Sequence, residues 1–143
     1  MVKSQARIVL VDDEQAVRQS LRRLLRSVGL NAETFASPQE FLQSLEQSNR
    51  PDCVILDLHL PGMSGLEVQA ELGRSHPTLP VIVVTGRDDP GLSERVFAAG
   101  AVAYLKKPFD EQALLGAIES AVNGRDASQR DAELSTRVLT NKP

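Results

Sequence analysis

Four apolar runs in this chain stop at side chains that could carry chemistry. Asp57 ends one run, Asp12 and Asp13 follow a second, Thr85 ends a third, and Lys107 closely follows a fourth. A carboxylate at the end of an apolar run is costly to bury unless it is paired or bound to a metal. If the four runs are neighbouring parallel strands, these residues meet at one edge of one sheet.

The residue types at this predicted edge favour phosphoryl transfer. Three carboxylates close together repel one another, so either one takes up a proton or a divalent cation binds between them. An oxygen-only ligand set suits a hard ion, and Mg²⁺ needs only one or two protein carboxylates. A lysine and a threonine hydroxyl suit phosphoryl oxygens. A carboxylate nucleophile would give an aspartyl phosphate.

Strands and helices alternate along the sequence, which predicts the scaffold for this site. Strands are predicted at about 7–12, 31–35, 52–57, 81–85 and 101–105. Helices are predicted at about 15–28, from 38 onward, 65–74, 91–99 and 110–122. Five such units predict an α/β fold with a five-stranded parallel sheet, doubly wound, of the flavodoxin-like class. Ligands of such folds bind beyond the carboxyl ends of the strands.

Helix ends are marked by capping residues. Ser37 precedes a proline, as N-caps often do. Ser64 and Glu67 have the spacing of a capping box. Gly29 and Gly124 are predicted to end the first and the last helix.

Composition bounds the remaining possibilities. The chain has 143 residues and 15.6 kDa, which predicts one domain at 5–124 and a polar linker or tail at 125–143, with no output domain. A net charge of −3 and few aromatic residues argue against direct DNA binding. Cys53 is the single cysteine, which fits a reducing cytoplasm. No apolar stretch is long enough to cross a membrane.

The strand-end motifs together resemble the receiver domain of bacterial two-component response regulators. The resemblance covers about 5–122 and rests on four segments, VDDE at 11–14, LDLHLPGMSG at 56–65, VTG at 84–86 and YLKKPF at 104–109. The segments FAS at 35–37 and TG at 85–86 are most similar to the nitrogen-fixation regulators, in which a receiver precedes a transcriptional output domain. The resemblance therefore implies a cytoplasmic signalling domain in transcription regulation.

The resemblance assigns the phosphoacceptor and the metal ligands. It implies that Asp57 accepts a phosphoryl group from a sensor histidine kinase. Asp13 and Asp57 would bind Mg²⁺ directly, together with the backbone carbonyl of His59. Asp12 would act mainly through water.

The resemblance also assigns a conformational switch. Lys107 would pair with the phosphoryl group whereas Lys106 would not, and the Lys107–Pro108 bond would be cis. Thr85 would move toward the phosphoryl group while Tyr104 turns inward. The surface of the fourth helix, fifth strand and fifth helix would change, and it could support a homodimer or contact an output domain. The domain would catalyse only its own phosphorylation and dephosphorylation, without a separate substrate.

Simpler interpretations stay open for single residues. Asp12 and Asp13 could cap the first helix, Asp57 could belong to a turn, and Lys107 could be a surface lysine. Arg18 and Arg22 belong to a basic stripe on the first helix, which is either a solvated face or a docking surface for the kinase.

Three alternative functions are weighed against the phosphorylated receiver. Asp57, His59 and Gly62 match the D-x-H-x-x-G signature of cobalamin-binding domains, although after the wrong strand. A haloacid-dehalogenase-like phosphatase needs a second acid two residues after its nucleophile, where this chain has His59. A degenerate receiver would act only as an interaction module, independent of phosphorylation.

Overall fold

Within the residues that the structure describes, strands and helices alternate in the order predicted. The computed structural model describes residues 6–47 and 50–130, the last part, 125–130, by its backbone alone. The strands are β1 (Arg7–Val11), β2 (Asn31–Phe35), β3 (Cys53–Asp57), β4 (Val81–Thr85) and β5 (Ala103–Lys106). The helices are α1 (Gln15–Ser27), α2 (Pro38–Gln47), α3 (Gly65–Ser75), α4 (Leu92–Ala98) and α5 (Glu111–Arg130).

The five strands form one parallel sheet, which confirms the predicted fold class. Their spatial order is β2-β1-β3-β4-β5. The chain leaves β1 toward one side of the sheet for β2 and returns to its other side for β3. The direction of winding therefore reverses between β1 and β3, and ligands of doubly wound folds bind beyond the strand ends at this point. Asp12 and Asp57 lie at these two strand ends.

Apolar side chains cover both faces of the sheet. One buried cluster joins α2, α3 and α4 to the sheet through Phe41, Val68 and Val96. The other joins α1 and α5 through Leu25 and Ile118. Every residue of β3 and β4 is buried, as expected for central parallel strands. This packing fixes the strand ends on which the polar residues stand.

The start of α3 is pressed against the segment that follows Asp57. Ser64 and Glu67 form the predicted capping box, with each side chain bonded to the other's backbone N–H at 3.2 and 2.8 Å. The backbone N–H of Gly65 donates to the carbonyl of Leu58 at 2.8 Å. A Cβ atom on Gly65 would stand 2.7 Å from the Leu58 Cα, so only glycine fits here without a shift.

The predicted end of the last helix is wrong. Gly29 does end α1 with a φ of 88°, and the Ser37 hydroxyl accepts from the Glu40 N–H at 3.2 Å, as an N-cap does. Gly124, however, is not among the glycines with positive φ, and α5 continues to Arg130. A glycine stops a helix only if the chain turns there, and the residues that follow, such as Ala127 and Gln129, tolerate a helix well.

The predicted tail is only partly described. Its first residues, 125–130, belong to α5, while 131–143 lie outside the described residues. The division into a domain at 5–124 and a linker at 125–143 therefore stays a prediction. Within the described parts of the chain, no helix combines the length and the apolar character needed to cross a membrane.

Candidate functional site

The three predicted acids meet at the carboxyl edge of the sheet. Asp12 and Asp13 directly follow β1, and Asp57 is the last residue of β3. One carboxylate oxygen from each lies within 4.8 Å of the others. Asp12 and Asp57 are buried and Asp13 is exposed. Asp12 and Asp57 thus form the buried side of the cluster, and Asp13 forms its open, solvent-exposed side.

Asp57 is held by contacts to both of its oxygens. Its Oδ1 accepts a hydrogen bond from the backbone N–H of His59 at 3.2 Å, and its Oδ2 lies 3.6 Å from Lys107 Nζ. Burial and then the charge of Asp12 raise the pKa of the Asp57 carboxyl above its usual value. Lys107 and the His59 N–H oppose that rise. The raised pKa means that the charged form of Asp57 is disfavoured, and a further positive charge nearby would stabilise that form.

Lys107 brings the positive charge to this cluster. Its Nζ donates to Asp12 Oδ2 at 2.9 Å, and its backbone N–H donates to the Thr85 carbonyl at 2.7 Å. The Lys107–Pro108 peptide bond is cis. Burial lowers the pKa of the Lys107 amine, but the Asp12 hydrogen bond and the Asp57 charge outweigh burial, so the pKa is raised and the amine stays charged.

The neighbouring lysine is placed differently. Lys106 has a side chain that is 61% exposed, and its Nζ lies 3.9 Å from Asp88 Oδ2 on the loop between β4 and α4. Of these two lysines, the structure brings Lys107 to the carboxylates and Lys106 to the surface.

Asp12 is part of the cluster rather than a cap of α1. The N-cap residue of α1 is Glu14, whose side chain makes no capping hydrogen bond. Asp12 Oδ1 accepts from the Glu14 N–H at 2.9 Å. Its backbone carbonyl accepts from the Arg18 guanidinium at 2.8 Å. Arg18 therefore stabilises the loop that carries the acids through a hydrogen bond to its backbone. Arg22 on the same helix is exposed.

The hydroxyls of the predicted switch pair bond to the loop between β4 and α4. Thr85 is buried, and its hydroxyl donates to the Arg87 carbonyl at 2.8 Å and accepts from the Arg87 N–H at 3.1 Å. The Tyr104 hydroxyl donates to Asp88 Oδ1 at 2.9 Å. Loss of hydration and this hydrogen bond raise the pKa of Tyr104 to about 12. Nothing in the sequence singles out Asp88, because a loop carries no periodic pattern that would distinguish one acid from its neighbours.

The donor set fits a hard divalent cation. The acids supply only oxygen atoms, and their mutual repulsion contributes to the raised pKa of Asp57. A cation between them would remove that repulsion, and two carboxylates with carbonyl and water oxygens are the ligands that Mg²⁺ prefers. His59 is exposed, and only its backbone lies in the site, so its imidazole is not required by the arrangement.

The structure also contains a cavity that is separate from the acid cluster. This cavity of about 850 Å³ lies between α5 and the first residues of β5, with Pro80, Gly116, Ala117 and Ser120 in its lining. None of the predicted site residues lines it.

Sequence comparison is consistent with this geometry. Residues 8–119 match the response regulator receiver domain family. The chain is 41% identical over 133 residues to Nodulation protein W of Bradyrhizobium diazoefficiens, covering 91% of this chain and 56% of that protein. It is 41% identical over 115 residues to the response regulator protein TodT of Pseudomonas putida, covering 80% of this chain and 50% of that protein. The chain therefore spans about half the length of these curated relatives.

Solved structures show the same likeness. Full-length FixJ from B. japonicum superposes with a TM-score of 0.83 at 31% identity, covering 99% of this chain and 71% of that one. A response regulator receiver domain protein from Clostridium thermocellum superposes with a TM-score of 0.80 at 33% identity, covering 85% of this chain and 98% of that one. The resemblance found in the strand-end motifs, including its likeness to nitrogen-fixation regulators, agrees with these matches.

Proposed function

Because this chain belongs to the response regulator receiver domain family of two-component systems, we propose that Asp57 is its phosphoryl acceptor. The single observation that carries the proposal is the cluster of charges at the sheet edge. The carboxylates of Asp12, Asp13 and Asp57 lie within 4.8 Å of one another, with Lys107 Nζ 3.6 Å from Asp57. The acids can hold a divalent cation, and this cation together with the lysine would neutralise phosphoryl oxygens.

Asp57 is the acid best placed to be the nucleophile. It is the last residue of a fully buried strand, so its backbone is rigid, and the His59 N–H orients its carboxylate. Asp12 is wholly buried and already accepts hydrogen bonds at both oxygens, from Glu14 and Lys107. Asp13 is exposed and lies on the open side, where it suits a metal ligand better than a positioned nucleophile.

The proposed step transfers a phosphoryl group between two proteins. A carboxylate oxygen of Asp57 attacks the phosphorus of a phosphohistidine on a sensor histidine kinase. The new oxygen–phosphorus bond forms as the phosphorus–nitrogen bond breaks, and its electron pair returns to the imidazole, which takes up a proton from water. The Lys107 ammonium, charged because of its raised pKa, neutralises the phosphoryl oxygens.

Mg²⁺ is the proposed cofactor. Asp13, Asp57 and the backbone carbonyl of His59 would hold the ion, with Asp12 acting through water. Bound there, the ion supplies charge neutralisation for the phosphoryl group. The chain's own residues orient the acceptor and keep the lysine at the site.

The proposed output is a change of the α4-β5-α5 surface. The Thr85 hydroxyl would leave the Arg87 carbonyl for the phosphoryl group, and Tyr104 would turn inward. The remodelled surface would control a transcriptional output domain or a homodimer contact. Later attack of water on phosphorus would restore the Asp57 carboxylate. The exposed arginines of α1, Arg22 among them, are the proposed contact for the kinase.

Intact mass spectrometry tests the acceptor assignment. The chain is incubated with acetyl phosphate, with Mg²⁺ or with a chelator, beside the variants Asp57→Asn and Asp89→Asn. Asp89 is an exposed acid outside the cluster and serves as the matched control. We expect one Mg²⁺-dependent phosphoryl adduct in the wild type and in Asp89→Asn, and none in Asp57→Asn.

Two results would argue against the proposal. Normal labelling of Asp57→Asn would show that another residue is the acceptor. Absence of an adduct in the wild type under all conditions would favour the alternative function, an interaction module that works without phosphorylation.

A further inference from the structure

Asp88 contacts one residue of the proposed switch, Tyr104, and lies close in sequence to the other, Thr85. It stands on the loop between β4 and α4, three residues after Thr85, and is exposed. Its Oδ1 accepts the hydrogen bond from the Tyr104 hydroxyl at 2.9 Å. A half-buried tyrosine whose hydroxyl is bonded to an exposed loop cannot turn inward until that bond breaks.

We infer that Asp88 is a positioning residue that holds Tyr104 toward the exposed loop and thereby opposes the switch. The inference rests on the proposed function, because it concerns the change that phosphorylation of Asp57 would cause. It predicts that loss of the Asp88 carboxylate makes the switched conformation easier to reach.

The backbone of the loop links the two hydroxyls mechanically. Thr85 is bonded to both the N–H and the carbonyl of Arg87, which directly precedes Asp88 in the chain. When the Thr85 hydroxyl moves to a phosphoryl group, it must release the Arg87 carbonyl. The loop is then freed at the residue next to Asp88, so the two bonds are expected to break together.

The charged neighbours of Tyr104 single out Asp88. Asp88 both accepts the hydrogen bond of the Tyr104 hydroxyl and repels the charge of its phenolate form, whereas Asp89 acts on Tyr104 only through charge. Asp89 itself lies 3.6 Å from the Arg87 guanidinium. Lys106 Nζ, 3.9 Å from Asp88, forms an exposed pair of the kind that contributes little. Asp89 therefore offers a control of equal charge, one residue away, without the hydrogen bond.

The absorbance and emission of Tyr104 can be measured without interference from other side chains of its kind. The chain has one tyrosine and no tryptophan, so phenol absorbance and emission come from Tyr104 alone. With a pKa of about 12, roughly a tenth of the phenol is ionised at pH 11. Without the Asp88 carboxylate the hydrogen bond and the nearer charge are gone, whereas the loss of hydration and the Asp89 charge remain. The pKa should therefore fall part of the way toward its ordinary value, and the ionised fraction at pH 11 should rise.

The first test measures phenolate absorbance at pH 11 in the wild type, Asp88→Ala and Asp89→Ala. Circular dichroism at the same pH checks that each variant stays folded. We expect a severalfold increase of phenolate in Asp88→Ala and a much smaller one in Asp89→Ala. Equal phenolate in the two variants would overturn the inference. Tyrosine emission at neutral pH gives a second readout, because a hydrogen-bonded carboxylate quenches it, so emission should rise in Asp88→Ala only.

The second test measures how tightly each protein binds beryllofluoride, a phosphoryl mimic, in the presence of Mg²⁺ by calorimetry. A contact that stabilises the unswitched form lowers the population of the form that binds the mimic. The apparent affinity falls in proportion to that population. We expect Asp88→Ala to bind about threefold tighter than the wild type, and Asp89→Ala to bind unchanged.

A double-variant comparison separates a switch contact from a general effect. Tyr104→Phe lacks the hydroxyl, so adding Asp88→Ala to it should not change the affinity further. A persisting effect would show that Asp88 acts through another partner, which overturns the inference. If the wild type itself fails to bind beryllofluoride, the proposed function fails and the regulatory role of Asp88 fails with it. If the wild type binds but Asp88→Ala binds no tighter, only the role of Asp88 is rejected.

Discussion

The acid cluster and the switch pair stand at the same edge of the sheet, yet they differ in how complete they are. Lys107 Nζ already lies 2.9 Å from Asp12 and 3.6 Å from Asp57. Thr85 and Tyr104 instead bond to Arg87 and Asp88 on the adjoining loop. The proposed phosphoryl-transfer half of the site is thus preformed, whereas the two proposed switch residues are still bound to the adjoining loop.

The difference follows from where each group is anchored. The acids stand at the ends of two interior strands, β1 and β3, which pack on both faces, so their positions are fixed by the core. Tyr104 belongs to the edge strand β5, where all four residues are only partly buried or exposed. A residue at the edge can change its orientation at small cost, which is what a switch requires.

Lys107→Ala is expected to have the largest effect, because Lys107 contacts the acids and directly follows β5. Asp57 should still be labelled by acetyl phosphate, but more slowly by roughly a hundredfold or less, because one charge that stabilises the transferring group is lost. Beryllofluoride should no longer change Tyr104 emission. Phosphorylation of Asp57 would then continue without the conformational change at Tyr104.

Lys106→Ala is the matched control for this prediction. Lys106 directly precedes Lys107 and carries the same charge, but its side chain lies at the surface. Its loss should leave the labelling rate unchanged. Equal slowing in both variants would mean that a general charge effect, rather than the contact to Asp57, explains the result.

Gly65→Ala should come second, by disturbing the preformed half alone. The new Cβ would meet the Leu58 backbone at 2.7 Å, next to Asp57. We expect a loss of about 1–3 kcal/mol in the free energy of unfolding, together with slower labelling. Urea denaturation measures the first and mass spectrometry the second.

Gly73→Ala tests whether that loss reflects the close approach. Gly73 lies in the same helix, and a Cβ there would meet nothing within 4 Å. Because alanine favours helix more than glycine does, this variant should gain about 0.5–1 kcal/mol. A loss in Gly73→Ala similar to that in Gly65→Ala would refute the steric explanation.

The sequence sufficed for the parts that the core determines. Apolar runs ending at Asp12, Asp57 and Thr85 predicted parallel strands and one shared edge, because burial leaves such runs few alternatives. The length of α5 was not predictable from Gly124, since a glycine is a helix stop only in a turned conformation. The Asp88–Tyr104 bond was equally hidden, because Asp88 and Asp89 are adjacent acids and only the loop's path decides which one reaches the hydroxyl.

Asp57→Asn should have a smaller and pH-dependent effect on stability when metal is removed by a chelator. The pKa of Asp57 is raised in the folded protein, by burial and then by Asp12. Below the unfolded-state pKa of about 4, the carboxyl is protonated in both states, so the folded protein loses nothing. As pH rises from that value to the higher folded-state pKa, the wild type loses stability, and above the folded-state pKa the loss is complete.

Urea denaturation of wild type and variant at several pH values checks this sign. Asp57→Asn should be the more stable protein at neutral pH, and the difference should shrink as the pH falls toward 4. Mg²⁺ should reduce the difference at neutral pH by stabilising only the wild type. A variant that is less stable than the wild type at neutral pH without metal would contradict the destabilisation of the Asp57 charge by burial and by Asp12.

Cys53 should show the smallest effect, and it tests whether the preformed half stays still. It begins β3, the strand that Asp57 ends, and burial, then the charge of Asp52, raises the pKa of its thiol to about 12. A buried neutral thiol reacts with disulfide reagents only when the sheet opens. Because Cys53 is the single cysteine, its modification at neutral pH reports that opening alone.

Beryllofluoride with Mg²⁺ should change Tyr104 emission while the thiol stays no more reactive than before. A thiol that became more reactive would show that β3 moves with the switch, and the acids could then no longer be regarded as a rigid platform on which the loop and β5 rearrange.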